Sequence, residues 1–328
     1  MKDKSRVYDF STFFILIAIT AFFSVFGKGF LKPANLSTII NQASFLAIIG
    51  VAQLAVILTG GINLSIGSTM ALSTVLCGPM LLSESAVPVI VPVLLVVLFG
   101  AGVGAINGLM VTKLNIPAFL ATFATMYVAR GAAWLYIGKG VYYGINESIR
   151  FLAMGEILKI GSFRVTMPML IVVIFLLVMW FCFEKTNFGR RIYFTGSNPL
   201  TAEFSGVPTK SIVLLVHMLS GLISGFAGIM YIARLNAADA NLGTQYHFDA
   251  ISVALIGGAV MSGGVGSVWG VAGGALIISV IQSGMNNMQI PTEIQKAFLG
   301  VIIILAVFFN AFLQDKKMKA GNDKPTKK

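Results

Sequence analysis

The chain has 328 residues, 57% of them hydrophobic and only 11% charged, with a mean hydropathy of +0.89. Soluble domains carry about 25% charged residues, so this composition excludes an ordinary water-soluble domain and defines a multi-span membrane protein. The net charge of +11 then requires no nucleic acid, because Lys and Arg in such proteins mark cytoplasmic loops and meet the anionic headgroups of the lipid bilayer.

A charge at mid-bilayer costs about 3 kcal/mol on insertion scales, so charge-free gaps mark the spans. Residues 10–27 follow Lys2, Lys4 and Arg6 and read as a first span, with no small-x-small cleavage site after it. Residues 33–83 are an uncharged run of 51, enough for two spans, interrupted at Gly60-Gly61-Ile62-Asn63-Leu64-Ser65-Ile66-Gly67. Residues 85–112 hold a fourth span. In it Gly100, Gly104 and Gly108 recur every four residues on one face, a pattern that lets helices approach closely. A fifth span covers 117–138. The polar stretch 139–164 is a loop outside the membrane with a short surface helix, and 165–183 make the sixth span.

A polar, basic island at 185–210 follows, and 211–233 make the seventh span. After a loop carrying Arg234, Asp239 and Asp249, the 43 uncharged residues 250–292 fit two spans turning near Ser262-Gly263-Gly264. Gly266, Gly270 and Gly274 again recur every four residues as a helix-packing pattern. Residues 297–314 make the tenth span. The sequence thus predicts an all-α, polytopic fold of about ten transmembrane helices in a single transmembrane domain, 1–314, with a basic tail at 315–328. That tail holds six lysines and two aspartates. The positive-inside rule places both termini, the tail and the 185–210 island in the cytoplasm, and the 139–164 loop outside.

The island has a compact helix signature. Ser197 and Asn198 are capping residues, Pro199 suits a first turn, and Gly206 ends the helix with Pro208 beyond it. This predicts about seven helical residues, roughly 10 Å long, with Leu200, Phe204 and Val207 on one side. Such an element is a docking knob for another protein or an ordinary loop.

Chemistry within the spans is sparse. All twelve carboxylates fall in loops or at span edges on this reading, which argues against a proton relay. There is no GxxxxGK[ST] phosphate loop. Two histidines, His217 and His247, support no catalytic or metal constellation, and Cys77 and Cys182 lie in apolar runs. The chain therefore does not read as an enzyme. What remains is neutral polarity. Asn41, Gln53, Asn63, Ser65, Asn107, Thr122 and Thr125 suit a path for an uncharged hydrophilic solute, and serve equally as hydrogen-bonded glue between helices. Arg130 is read as snorkelling or bonded between helices, and His217 as a packing residue. The 60–67 stretch is either an interruption within the membrane or a tight turn at its cytoplasmic face.

The motifs together resemble the membrane subunits of ribose-type sugar ABC importers. The family's Gly-Gly-Ile-Asp-Leu-Ser-Val-Gly appears at 60–67, and its Pro-x-Phe-x-Ala-Thr at Pro117, Phe119, Ala121 and Thr122. Its loop elements appear as Gly189-Arg190-Arg191, Gly196-Ser197-Asn198-Pro199 and Ser205-Gly206-Val207. Asp249-Ala250-Ile251, Ile256-Gly257-Gly258 and Gly263-Gly264-Val265-Gly266-Ser267-Val268-Trp269-Gly270 complete the order.

The resemblance implies a multi-pass permease of a bacterial inner membrane that carries ribose or a related monosaccharide. It implies three protein partners: a cytoplasmic ABC ATPase that binds ATP and Mg, an external sugar-binding protein, and a second permease subunit. No cofactor is implied for this chain itself. It also implies that the 185–210 loop carries a coupling helix, with Gly189, Arg190, Arg191, Gly196, Asn198, Pro199, Leu200, Ala202, Glu203, Phe204 and Gly206 as contact or shaping residues. Two departures stand out. Leu200-Thr201-Ala202 replaces the family's Glu-Ala-Ala, and Asn63 stands where Asp is usual. A self-sufficient carrier for a neutral solute is the alternative reading.

Overall fold

The computed structural model describes residues 16–308 apart from 28, 139, 299, 303 and 305–307. The residues expected to complete the first and tenth spans, and the 315–328 tail, lie wholly or largely outside the described residues.

Among the described residues, six helices are long and apolar enough to cross a membrane. They are α2 (Pro33–Leu58), α4 (Ile90–Thr112), α5 (Ala118–Ile137), α7 (Met167–Trp180) with its continuation Phe181–Lys185, α10 (Thr209–Leu235) and α12 (Val268–Asn287). A shorter apolar helix, α1 (Leu16–Phe26), precedes them. Proline opens several of these: Pro33 and Pro168 sit in first turns and Pro117 caps α5. Proline lacks the N–H that a first turn leaves unbonded anyway. The core lies along α2, where every residue from Ala43 to Leu58 is buried. A helix that is apolar on all sides lies either in a protein core or in lipid, and the burial of α2 among other helices places it in the core.

Two of the expected spans are corrected. The segments after 60–67 and before 257 form α3 (Ile66–Leu76) and α11 (Tyr246–Ile256), each of 11 residues. At 1.5 Å per residue each is about 16 Å long, roughly half of a 30 Å hydrocarbon core. Asp249, expected in a loop, lies in the first turn of α11.

These half-helices reveal an arrangement the sequence does not show. A long helix, a half-helix and another long helix occur twice, as α2-α3-α4 and α10-α11-α12. Helix α10 packs along α4 and against α3, while α2 packs along α12 and against α11. The two long helices run antiparallel: Ala34 and Asn41 near the start of α2 share a cleft with Met230 and Arg234 near the end of α10. The second unit is therefore inverted relative to the first. The starts of the two half-helices meet, since a Cβ on Gly67 would lie 1.9 Å from Gly243 O. Only glycine at both positions permits that backbone contact.

The segment expected as an outer loop holds α6 (Glu147–Met154), capped by Asn146, and an antiparallel hairpin of β2 (Glu156–Ile160) and β3 (Phe163–Thr166). A two-residue strand β1 (Tyr142–Tyr143) pairs with β4 (Ala237–Ala238), tying this end to the α10–α11 connection. A small β component thus accompanies the helical fold.

Candidate functional site

Two sites emerge at opposite extremes of burial. The first is built on α8 (Asn187–Ser197) and α9 (Pro199–Phe204). Helix α8 is not expected from its residues, because two glycines in eleven lower its helix propensity. Its helix is set by what it touches: Ile192 is fully buried, and Thr186 caps the start by accepting from Gly189 N at 3.2 Å. Gly189 lies against the backbone of Phe183, where a Cβ would come within 1.9 Å of its carbonyl. A Cβ on Gly196 would lie 1.8 Å from Leu58 O and 2.6 Å from Gly264 N. Those two atoms are themselves bonded, Gly264 N donating to Leu58 O at 2.9 Å. Helix α8 is thus seated on the end of α2 and on the α11–α12 loop, one contact in each inverted unit. Tyr193 adds a second tie, its hydroxyl donating to Gly266 O at 2.9 Å. Burial, and then the Glu184 carboxylate, hold the Tyr193 phenol well above its ordinary pKa, so it remains a donor.

Helix α9 projects from this seat. It has six residues, one fewer than expected, with Asn198 as N-cap accepting from Thr201 N at 3.0 Å and Pro199 in the first turn. Gly206 closes it at φ +78°, while Val207 N donates to Ala202 O at 3.0 Å. Ala202 is fully buried against the body, and Leu200 and Phe204 are 69% and 88% exposed. Val207, expected on the same stripe, is half-buried. Glu203 is exposed. Beside the knob lies a hollow of about 380 Å³ lined by Asn187, Arg190, Arg191, Phe194 and Val207. Arg190 is held by a hydrogen bond to Asn187 Oδ1, and Arg191 is exposed. The surface therefore offers two bare apolar side chains beside two guanidiniums, a match for a partner cleft with apolar walls and carboxylates.

The second site is the 60–67 interruption. Residues 61–65 leave the helix, and Asn63 and Ser65 are 1% and 0% exposed. Asn63 Nδ2 donates to Ser220 Oγ of α10 at 2.9 Å, and its Oδ1 accepts from Ser65 N and Ser65 Oγ, both at 2.8 Å. Asn107 Nδ2 of α4 donates to Ser65 Oγ at 2.9 Å. Leu64 N donates to Thr122 Oγ1 of α5 at 3.1 Å. Gln53, with its amide turned to satisfy both neighbours, donates to Asn63 O at 2.9 Å and accepts from Asn63 N at 3.3 Å. Five of the residues singled out for a solute path thus form one connected network, in which Asn107 Oδ1 is buried without a partner among the described residues. It supplies the partners that unwound backbone lacks inside a bilayer. Of these five residues, none faces open space in the single chain. Thr125 is buried one turn further along α5. Asn41 stands apart, accepting from Thr166 Oγ1 in a cleft at the hairpin end.

The glycine rows differ in role. Gly100, Gly104 and Gly108 face α10, where added Cβ atoms would meet Gly221 O at 2.4 Å, His217 O at 2.2 Å and Leu214 Cδ1 at 2.7 Å. Gly270 and Gly274 face α11, at 2.1 Å from Gly257 O and 2.3 Å from Val253 O. Gly266 is corrected: it precedes α12 and lies in the turn against Leu54. Arg130 bonds between elements, its Nη1 donating to Ala240 O and to Leu242 O, the latter at 2.6 Å. His217 is buried and donates from Nδ1 to Val213 O at 2.8 Å.

An apolar helical bundle with inverted units, interrupted helices and a protruding capped knob defines a polytopic membrane permease. The profile of the family described as "Branched-chain amino acid transport system / permease component" matches residues 35–307, and the chain belongs to that family. It is 31% identical to the galactose/methyl galactoside import permease protein MglC of Haemophilus influenzae, over 96% of this chain and 98% of that protein. It is 33% identical to the ribose import permease protein RbsC of Bacillus subtilis, over 96% and 94%. With RbsC of Haemophilus influenzae it shares 32% identity over 97% and 100%. The resemblance to sugar import permeases read from the motifs is borne out. No solved structure matches the chain.

Proposed function

We propose that this chain is the membrane subunit of an ABC importer that carries a monosaccharide inward, and that α8 and α9 receive the mechanical input from a partner ATPase. The observation that carries the coupling role is the bare knob. Burying a leucine or phenylalanine is worth about 1.5–3 kcal/mol each, so Leu200 and Phe204 hold stabilisation that only a covering partner realises. The chain lacks a nucleotide loop, so ATP and Mg bind in the partner. The relatives' names support ribose, galactose or a similar sugar as cargo.

In this reading the protein is one domain of about ten spans in a bacterial inner membrane, with both termini, the tail and the knob cytoplasmic. An external binding protein meets the hairpin end, and a second permease subunit completes the pathway. Because Gly196 touches both the end of α2 and the α11–α12 loop, displacement of α8 reaches both inverted units at once.

The experiment is reconstitution in vesicles with the neighbouring ATPase and binding protein. Sugar-stimulated ATP hydrolysis and uptake are then measured across a panel of pentoses and hexoses. Stimulation by one sugar group, lost when the ATPase is omitted, is expected. Equal flux without the ATPase would instead establish a self-sufficient carrier.

A further inference from the structure

A cleft of about 620 Å³ lies at the end of the molecule opposite the knob, where the transport reading seats a binding protein on the hairpin; of its lining that reading uses only Asn41 and gives the charged rim no ligand. Three spanning helices contribute to it at their ends: Ala34, Thr38 and Asn41 from the first turns of α2, Pro168 from the start of α7, and Arg234 from the last turn of α10. Hairpin residues Glu156, Lys159 and Arg164 form its rim. Helix ends of this kind stand at headgroup level, where Lys and Arg meet lipid phosphates.

The charges are unequal. Glu156 is the one carboxylate in the lining and it is bonded to Arg164 at 2.5 Å. Lys159 and Arg234 form no ion pair among the described residues, which leaves two cations facing the cleft unbalanced. Phe45 and Met230 line the same cleft one to two turns deeper along α2 and α10. The hairpin itself presents Ile157, Leu158 and Ile160 outward, all about half exposed or more. A cationic rim above an apolar floor, opening at helix ends, matches an anionic head joined to a hydrocarbon chain.

The geometry points to a bound anionic phospholipid, with its phosphate diester between Lys159 and Arg234 and the upper part of an acyl chain against Phe45 and Met230. A free phosphate shares the head chemistry but has no use for the floor. This assignment needs only that the chain spans a membrane, and it stands or falls independently of the sugar-import reading.

The test is native mass spectrometry of the full-length protein in detergent. Phosphatidylglycerol and phosphatidylcholine of matched chains are supplied, with glycerol 3-phosphate and inorganic phosphate as separate arms. Wild type should retain phosphatidylglycerol over phosphatidylcholine. Lys159→Gln with Arg234→Gln should lower that retention about five-fold or more, since each cation near an anionic lipid surface contributes on the order of a several-fold effect. Lys159→Arg with Arg234→Lys should keep it, as should Lys113→Gln with Lys296→Gln away from the cleft. Unchanged retention in the first pair would overturn the site, as would equal loss in the charge-keeping pair. Displacement of the lipid by equimolar glycerol phosphate or phosphate would replace it with a free-anion site.

Discussion

The 60–67 interruption and the α9 knob invert the usual placement of polarity. At the interruption, Asn63, Ser65, Asn107, Thr122 and Gln53 are buried and bonded to one another among apolar helices. At the knob, Leu200 and Phe204 stand bare outside them. Each exception has a physical cause. Backbone that leaves a helix inside lipid needs internal partners, which the polar side chains provide. Apolar side chains left bare on a protruding helix need a cover, which the proposed ATPase would provide. The first region finds nearly all its partners within the chain, Asn107 Oδ1 being the exception, and on the proposed function the second is completed by an assembly. On that proposal the first governs whether the protein folds, and the second whether it works.

That division is most severely tested by glycine substitutions. Gly67→Ala should prevent stable assembly, because its Cβ would sit 1.9 Å from Gly243 O and drive the half-helices apart. Overpacking of this kind costs about 1–3 kcal/mol or more, and loss of the monodisperse peak in detergent is the readout. Next, Asn63→Leu strands the hydrogen-bonding groups of Ser65 and Ser220 and should lower thermal stability by about 1–3 kcal/mol. Asn63→Asp, which still accepts from Ser65 and can accept from Ser220, should recover most of that loss.

Knob variants should behave oppositely. Phe204→Asp should leave folding within about 0.5 kcal/mol of wild type, as exposed substitutions usually do, yet reduce ATPase-driven uptake more than ten-fold, a loss of about 1.4 kcal/mol in coupling. Gly206→Pro, at φ +78°, destroys the end of α9 and should uncouple without loss of insertion. Arg190→Glu with Arg191→Glu should do the same. Uptake at the wild-type rate in all three would remove the knob from the mechanism. The smallest effect is expected at Gly102, which has open space where a Cβ would lie, so Gly102→Ala should be neutral or stabilising by up to about 1 kcal/mol.

The knob was legible because its signals are local. Asn198, Pro199 and Gly206 cap a helix whatever surrounds them, and Leu200 and Phe204 follow from its period. Helix α8 was not legible, since Gly189 and Gly196 argue against a helix until the backbones of Phe183 and Leu58 are placed against them. The interruption itself could be located, but the lengths of α3 and α11 could not. An uncharged run long enough for two spans reads alike whether its helices cross fully or stop halfway. Asp249 added to this, marking a loop by its charge while sitting on a half-helix. The inverted repetition is invisible in the letters because 60–65 and 236–245 hold different residues in equivalent connections.

The central claim, that α9 is the surface an ATPase covers, is tested most directly by photocrosslinking in the assembled complex. A photoreactive phenylalanine analogue replaces Phe204, with the same analogue at Leu135 as the comparison, since Leu135 is 89% exposed on a spanning helix. A crosslink from 204 to the ATPase, absent from 135, is the predicted result. No crosslink from 204 in a complex that still transports would contradict it.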